Sequence, residues 1–205
     1  MSKFYTNNYP VINLYKKTSS KSEIVTQMIY GESFKIINKF AKWLKIRIKE
    51  DGYIGYIRKK KFNLYLKPTH KVSVLSADIY KNSNFKKKVG NLSYVSKIKV
   101  EETTSRFSKF HNTWIETRNI KPIEYKNQNI FKDIKIFKGV KYKWGGKTFR
   151  GIDCSALIQV CLNFNNKFCP RDTGEQFKFF KRNITFKNIK ENDIIYWKGH
   201  VAIAL

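Results

Sequence analysis

One thiol and one imidazole carry the chemistry legible in this chain. Residues 142–155 read Tyr-Lys-Trp-Gly-Gly-Lys-Thr-Phe-Arg-Gly-Ile-Asp-Cys-Ser. Directly downstream, Leu157, Val160, Cys161 and Phe164 recur at helical spacing, which predicts a buried helix beginning near Cys154. A thiol in the first turn of a helix meets the positive end of the peptide dipoles, and this favours thiolate. Gly145, Gly146 and Gly151 lie just upstream, where the backbone is expected to run close to whatever the thiol attacks. Such a nucleophile needs a base. His200 opens an alternating run in which His200, Ala202 and Ala204 share one face and Val201, Ile203 and Leu205 the other. Small neighbours leave room in front of the ring for a helix N-terminus. The pair would work as thiolate and imidazolium: Cys154 attacks a carbonyl, His200 protonates the leaving amine, and nearby backbone N–H groups hold the oxyanion. Cys161 reads as core, Cys169 has no assigned role, and His70 and His111 read as surface or turn residues.

Composition bounds the alternatives. The chain has 205 residues, 41% hydrophobic and 16% aromatic, enough for real cores and too apolar for disorder. No run of eighteen apolar residues predicts a membrane span, and the first residues lack a signal core, so a cytoplasmic protein is expected. Three cysteines at irregular spacing fit neither a disulfide framework nor a zinc site, and no metal or cofactor is expected. The formal charge of +27 invites a nucleic-acid partner. Lysine outnumbers arginine 35 to 7 and is spread along the whole chain, beside abundant Asn, Ile, Phe and Tyr that share A/T-rich codons. Base composition is the plainer explanation, and no specific nucleic acid is expected.

Residues 1–66 read as five or so short strands. Trp43, Leu44, Ile46 and Ile48 alternate with Lys45 and Arg47, Asp51-Gly52 marks a hairpin, and Tyr53 to Ile57 return. The early Leu14-Tyr15, the Gly31-Glu32 turn, the Trp43 strand and Asp-Gly-Tyr-x-Gly-Tyr-Ile together resemble a bacterial SH3-like module. Residues 67–123 read as a divergent second copy: Tyr80 follows Tyr15 by 65 residues, Val89 follows Ile24 by 65, and Trp114-Ile115 matches Trp43-Leu44. From Asn127 the period changes. Ile130, Ile134 and Phe137 are spaced as a helix face closed by Gly139, and Thr173-x-x-Gln176 is a candidate capping box with Phe177 and Phe180 inward. Residues 193–197 and 200–205 read as a hairpin joined by Lys198-Gly199. The expected fold class is α+β: N-terminal all-β SH3-like barrels (1–66 and 67–123), then a papain-like α+β domain (124–205).

The last segment carries Tyr142, Trp144, Gly145, Gly146, then Asp153, Cys154, Ser155, then Pro170, Arg171 and Gln176, then Asp193, Gly199, His200, Val201 and Ala202. This series resembles the NlpC-type cell-wall peptidases, papain-like cysteine enzymes. The resemblance implies a cysteine endopeptidase that hydrolyses the γ-D-glutamyl–diamino acid bond of peptidoglycan peptides with a free N-terminal L-Ala, without metal or cofactor. Cys154 and His200 would be catalytic. Asp153 would offer a carboxylate to the substrate's ammonium, with the hydroxyls of Ser155 and Tyr142 beside it. Two readings stay open for Asp153, the ammonium acceptor or a helix N-cap; for Thr173, substrate contact or cap; and for Trp144, pocket wall or core. The family pattern continues past the strand of His200, so a chain ending at Leu205 is expected to lack C-terminal strands and the residue that orients the imidazole. A non-catalytic wall-peptide binder is the rival reading, and a basic nucleic-acid-binding protein a weaker one.

Overall fold

The computed structural model describes residues 3–180 and 184–204. Leu205, expected on the face of the last strand shared by Val201 and Ile203, lies outside the described residues. The first unit consists of β1 (Phe4–Thr6), β2 (Val11–Tyr15), β3 (Ile24–Ile29), β4 (Ser33–Lys39), β5 (Trp43–Ile48), β6 (Ile54–Arg58) and β7 (Asn63–Leu64), one antiparallel sheet in the order β3-β2-β6-β5-β4-β1-β7. Period-two alternation builds it: Ile12 and Leu14, Leu44, Ile46 and Ile48, and Ile57 all turn inward onto Met28 and Phe34. The Asp51-Gly52 turn forms as the sequence predicts, with Gly52 at φ 77° and the Tyr53 N–H donating to Asp51 Oδ1.

A second β unit follows: β8 (His70–Val72), β9 (Ser76–Tyr80), β10 (Lys88–Ser93), β11 (Lys97–Ile98), β12 (Glu102–Thr103), β13 (Phe107–Phe110), β14 (Thr113–Glu116) and β15 (Ile120–Pro122). Its main sheet runs β10-β9-β14-β13-β12, the same connectivity as β3-β2-β6-β5-β4. Tyr80 therefore ends the counterpart of β2, as Tyr15 ends β2. The matching of Trp114-Ile115 to Trp43-Leu44 is off by one strand. β14 pairs with β9, Trp114 opposite Tyr80, just as β6 pairs with β2, Tyr56 opposite Tyr15, so Trp114 is the counterpart of Tyr56. An aromatic on a β-strand says little about which strand it is.

The last segment holds β16 (Lys147–Thr148), β17 (Gly151–Ile152), α1 (Cys154–Phe164), α2 (Thr173–Phe179), β18 (Ile194–Trp197) and β19 (His200–Ile203), an α+β arrangement in which α1 packs against β19. Helix α1 begins at Cys154, as its apolar spacing predicts, and it is buried on nearly every side. The expected helix around Ile130 to Phe137 is instead a short 3-10 helix, Lys132–Phe137. The capping box is also corrected. Asp172 rather than Thr173 occupies the N-cap of α2, and the Gln176 amide donates to the carbonyls of Ser155 and Pro170 instead of returning to the cap. Phe177, expected inward, is exposed.

Ile29 of the first unit and Tyr94 and Val95 of the second are part of the same core as α1. The Lys71 ammonium, fully buried at the base of the second unit, donates to the carbonyls of Ile123, Tyr125 and Phe164, the last of these at the C-terminal end of α1. Helix C-terminal carbonyls lack intrahelical donors, and a buried cation answers both their hydrogen-bonding need and the negative end of the dipole.

Candidate active site

Short β16 and β17 form a tight hairpin that runs straight into α1, so whatever fixes the hairpin fixes Cys154. The first barrel fixes it. The Lys147 N–H donates to Gln27 Oε1 at 2.9 Å, and the Lys147 ammonium pairs with Glu32 at 2.5 Å, both side chains almost wholly buried. Burial outweighs the neighbouring ammonium and holds the Glu32 carboxyl above its usual range. Gly145 explains one of the glycines. It sits at φ 69°, and a Cβ there would lie 2.4 Å from the Ile24 carbonyl oxygen of β3. The expectation that these glycines make room for substrate is corrected at this position: the close approach is to the barrel.

Arg171 ties the start of α1 together. Its Nε donates to Thr26 Oγ1 on β3 at 2.6 Å, and its Nη1 and Nη2 donate to Asp153 Oδ1 and Oδ2 at 3.0 and 2.6 Å. Asp153 also accepts from the N–H groups of Ala156 and Gly145, at 2.8 and 3.0 Å. The Ser155 hydroxyl donates to Asp153 Oδ1 and accepts from Arg171. Of the two readings of Asp153, the structure shows the N-cap, and its bidentate ion pair with Arg171 uses the charge that a substrate ammonium would need. Ser155, expected beside the substrate, turns its hydroxyl into the same buried network. Sequence reading missed this because Arg171 and Thr26 are remote from the Asp-Cys-Ser triplet.

Cys154 lies half-buried where two cavities meet. One, of about 550 Å³, is lined by Cys154, His200, Leu157, Val201 and Phe137, so the fold brings the expected nucleophile and base to one cavity. The second, of about 660 Å³, lies against the first barrel, whose Glu23, Tyr53, Ile54 and Tyr56 line it opposite Cys154, Tyr142, Trp144 and Thr173. Trp144 is pocket wall and not core: it is 63% exposed, and its indole N–H donates to Glu23 Oε1 at 3.0 Å. Hydrogen bonds from Lys16 and Trp144 hold the Glu23 carboxyl below its usual range. Tyr142 lines both cavities. Thr173 Oγ1 sits 3.8 Å from the Cys154 sulfur.

Tyr53 and Asp172 were not singled out in the sequence, yet both line this cavity. The Tyr53 hydroxyl and the Asp172 carboxyl are close neighbours in this cavity, and burial raises the carboxyl of Asp172 and the phenol of Tyr53 above their usual ranges. The only signal for Asp172 was its place after Pro170-Arg171. Cys161 and Cys169 are buried, and burial pushes each thiol up to about 12. The His200 ring packs on Trp197, its partner across the hairpin, with ring centres 4.9 Å apart. Asn192, at φ 73°, takes the left-handed turn before β18, and Asp193 accepts from the Lys190 N–H. Among the described residues no group of three or more His, Cys, Asp or Glu side chains is arranged to hold a metal.

Known proteins place these observations. Residues 14–62 match the bacterial dipeptidyl-peptidase SH3 domain, and residues 139–205 match the NlpC/P60 family. Dipeptidyl-peptidase 6 of Lysinibacillus sphaericus is 22% identical across 94% of this chain and 81% of its own length. A γ-D-glutamyl-L-lysine dipeptidyl-peptidase of Bacillus subtilis is 23% identical across 85% of this chain; the match spans 64% of that relative. The crystal structure of an NlpC/P60 family protein from Bacillus cereus superposes with a TM-score of 0.85 over 98% of this chain and 88% of that one, at 17% identity, which establishes a shared fold. No helix among the described residues is long and apolar enough to cross a membrane. Behind an SH3 domain of the bacterial dipeptidyl-peptidase type, residues 139–205, which carry the Cys154 helix and His200, match the NlpC/P60 family, and these likenesses mark a cysteine-type peptidase.

Proposed function

We propose that this protein cuts the γ-D-glutamyl–diamino acid bond of peptidoglycan peptides that carry a free N-terminal L-Ala. The observation that carries this reading is the cavity between Cys154 and the first barrel. It holds the thiol, it is walled by Tyr53, Tyr56 and Trp144, and it is lined by carboxylates, a shape and charge suited to the amino end of a short peptide. Asp153 is spent on Arg171 and Glu23 on Lys16 and Trp144, so the ammonium is taken by Asp172 beside Tyr53. Thr173 and Tyr142 flank the scissile carbonyl, and Trp144 closes the wall.

The Cys154 thiolate attacks the γ-carbonyl carbon, and the N–H groups at the start of α1 hold the oxyanion. The tetrahedral intermediate collapses as His200 gives its proton to the departing amine of the diamino acid. Water, losing a proton to His200, then hydrolyses the thioester and releases L-Ala-D-Glu. The names of the relatives from L. sphaericus and B. subtilis support the reading. Residues 1–66, 67–123 and 124–205 are taken as two SH3-like units and the peptidase unit.

The test is turnover of L-Ala-γ-D-Glu-diaminopimelate and of its N-acetyl derivative. Hydrolysis of the free-amine peptide that is lost in Cys154→Ala and strongly reduced by acetylation supports the proposal. Equal turnover of both peptides overturns the assigned amine seat. A second reading, a wall-peptide binder with little turnover, draws on His200: among the described residues its ring packs on Trp197 and has no hydrogen-bond partner. A base whose orienting group is disabled loses about 10⁴ in rate.

A further inference from the structure

The lysines are spread along the sequence, but the fold gathers some of them. Three segments of the first barrel meet at one end: the β2–β3 loop 16–22, the β4–β5 turn 39–42, and residues 58–61 after β6. The Lys59 N–H donates to the Lys42 carbonyl at 3.0 Å. The Arg58 guanidinium donates to Ser20 Oγ at 3.2 Å and lies over the Trp43 ring, 5.0 Å from its centre. These segments hold nine Lys and Arg residues and no Asp or Glu. Lys17, Lys21, Lys39, Lys42, Arg58 and Lys59 are all exposed, and none forms an ion pair among the described residues. Glu23, which follows the first segment, is already taken by Lys16 and Trp144. Like charges crowded on one end repel and favour an external counter-charge.

We propose that this end of the first barrel binds a flexible phosphodiester polymer without bases, a poly(alditol phosphate) of the kind that decorates bacterial walls. Eight of the nine cations are lysines, compact point charges without the fork that reads a base edge or grips one phosphate from two sides. Nucleic acids also need aromatic faces for stacking. Here Trp43 is buried beneath Arg58, and Phe40, 38% exposed, leans on Tyr56 with ring centres 5.8 Å apart, so the end offers no row of aromatic faces. A base-free polyanion asks only for charge. The choice of a wall polymer rests on the wall-peptidase reading above. Tyr56, which Phe40 packs on, and Lys45 also line the cavity of Cys154, so a polymer held here runs past its mouth. Wall peptides whose L-Ala amine has already been freed, lying among such polymers, then become the material on which the enzyme works.

The test measures binding of fluorescent poly(glycerol phosphate) by the full chain carrying Cys154→Ala, across a salt series. Lys42→Gln/Arg58→Gln/Lys59→Gln is compared with Lys81→Gln/Lys86→Gln/Lys87→Gln, an equal loss of charge on the second β unit. The first triple is expected to weaken binding about tenfold more than the second and to reduce the salt slope by about two to three. Equal weakening by both triples, with circular dichroism unchanged, overturns the proposal in favour of diffuse charge. Tighter binding of a single-stranded oligodeoxynucleotide of equal charge overturns it in favour of nucleic acid. Binding is read without turnover, so a failed hydrolysis assay and a failed binding assay point to different errors.

Discussion

Replacing Lys147 by Met tests whether the first barrel is part of the machinery that seats Cys154. Lys147 and Glu32 have side-chain exposures of 0% and 3%, and they join β16 to the β3–β4 turn. Removing one partner of such a buried pair costs about 3–5 kcal/mol, because the survivor is left charged without water. For a chain of this size, 1 kcal/mol corresponds to about 2–4 °C, so Tm is expected to fall by about 6–20 °C at neutral pH. The pH dependence has a definite sign. Glu32 keeps the Ile29 N–H, 2.7 Å from Oε2, but its folded pKa already lies above the usual value through burial, and it rises further without Lys147. A carboxyl raised in the folded state is the better proton binder there, so stability is greatest below its unfolded value, about 4.3, and falls as pH rises toward the folded one. The deficit of Lys147→Met relative to wild type therefore grows from acid to neutral pH. Adding Glu32→Gln, which keeps an acceptor for Ile29 and removes the charge, is expected to recover much of the loss. Differential scanning fluorimetry across that pH range reads all three proteins. A Lys147→Met variant that melts with wild type at neutral pH, or a double variant no better than the single, refutes the reasoning.

Three further outcomes are expected. Mild alkylation with peptide mapping labels Cys154 ahead of Cys161 and Cys169, whose buried thiols stay protonated; earlier labelling of Cys169 would sink the assignment. Gly145→Ala, which forces a side chain against the Ile24 carbonyl at a left-handed φ, lowers stability by more than about 1 kcal/mol and reduces turnover with it. A wild-type melting curve for that variant would show that the junction gives way easily. Residues 124–205 expressed alone fail to fold, because Lys147, Arg171 and the C-terminal end of α1 each lose a buried partner on the barrels; a cooperative unfolding transition for that fragment would contradict this.

The chemistry-bearing residues were legible because their signals are local. A helix starting at Cys154 follows from the spacing of the apolar residues after it, and the hairpin of β18 and β19 from two alternating runs around Lys198-Gly199. What the sequence hid was the partner of each polar side chain. Asp153 next to a thiol suggests a free carboxylate, and only the fold brings Arg171 and Thr26 to it. Gln176 fits a capping box by spacing, yet the Ser155 and Pro170 carbonyls claim its amide. Tyr53 and Asp172 are 119 positions apart in the sequence and meet only because the β5–β6 hairpin of the barrel docks beside α2. The strand order of the second unit, too, is set by long-range pairing, which the 65-residue offset captured for Tyr80 and the likeness of Trp114-Ile115 to Trp43-Leu44 missed.

Helix α1 is clamped at its beginning through Arg171 to Thr26 of the first unit and at its end by Lys71 of the second. Translation delivers both of those units before the helix emerges from the ribosome. A thiol nucleophile is a hazard in a half-made chain, open to oxidation and to stray acylation. Here the two units that flank the dock precede the thiol in the chain, and Arg171, which completes the link to Thr26, follows it by 17 residues. The same order makes the two units indispensable to one another's cargo: a recombination event that swapped either one alone would deliver the nucleophile to a berth with one mooring missing.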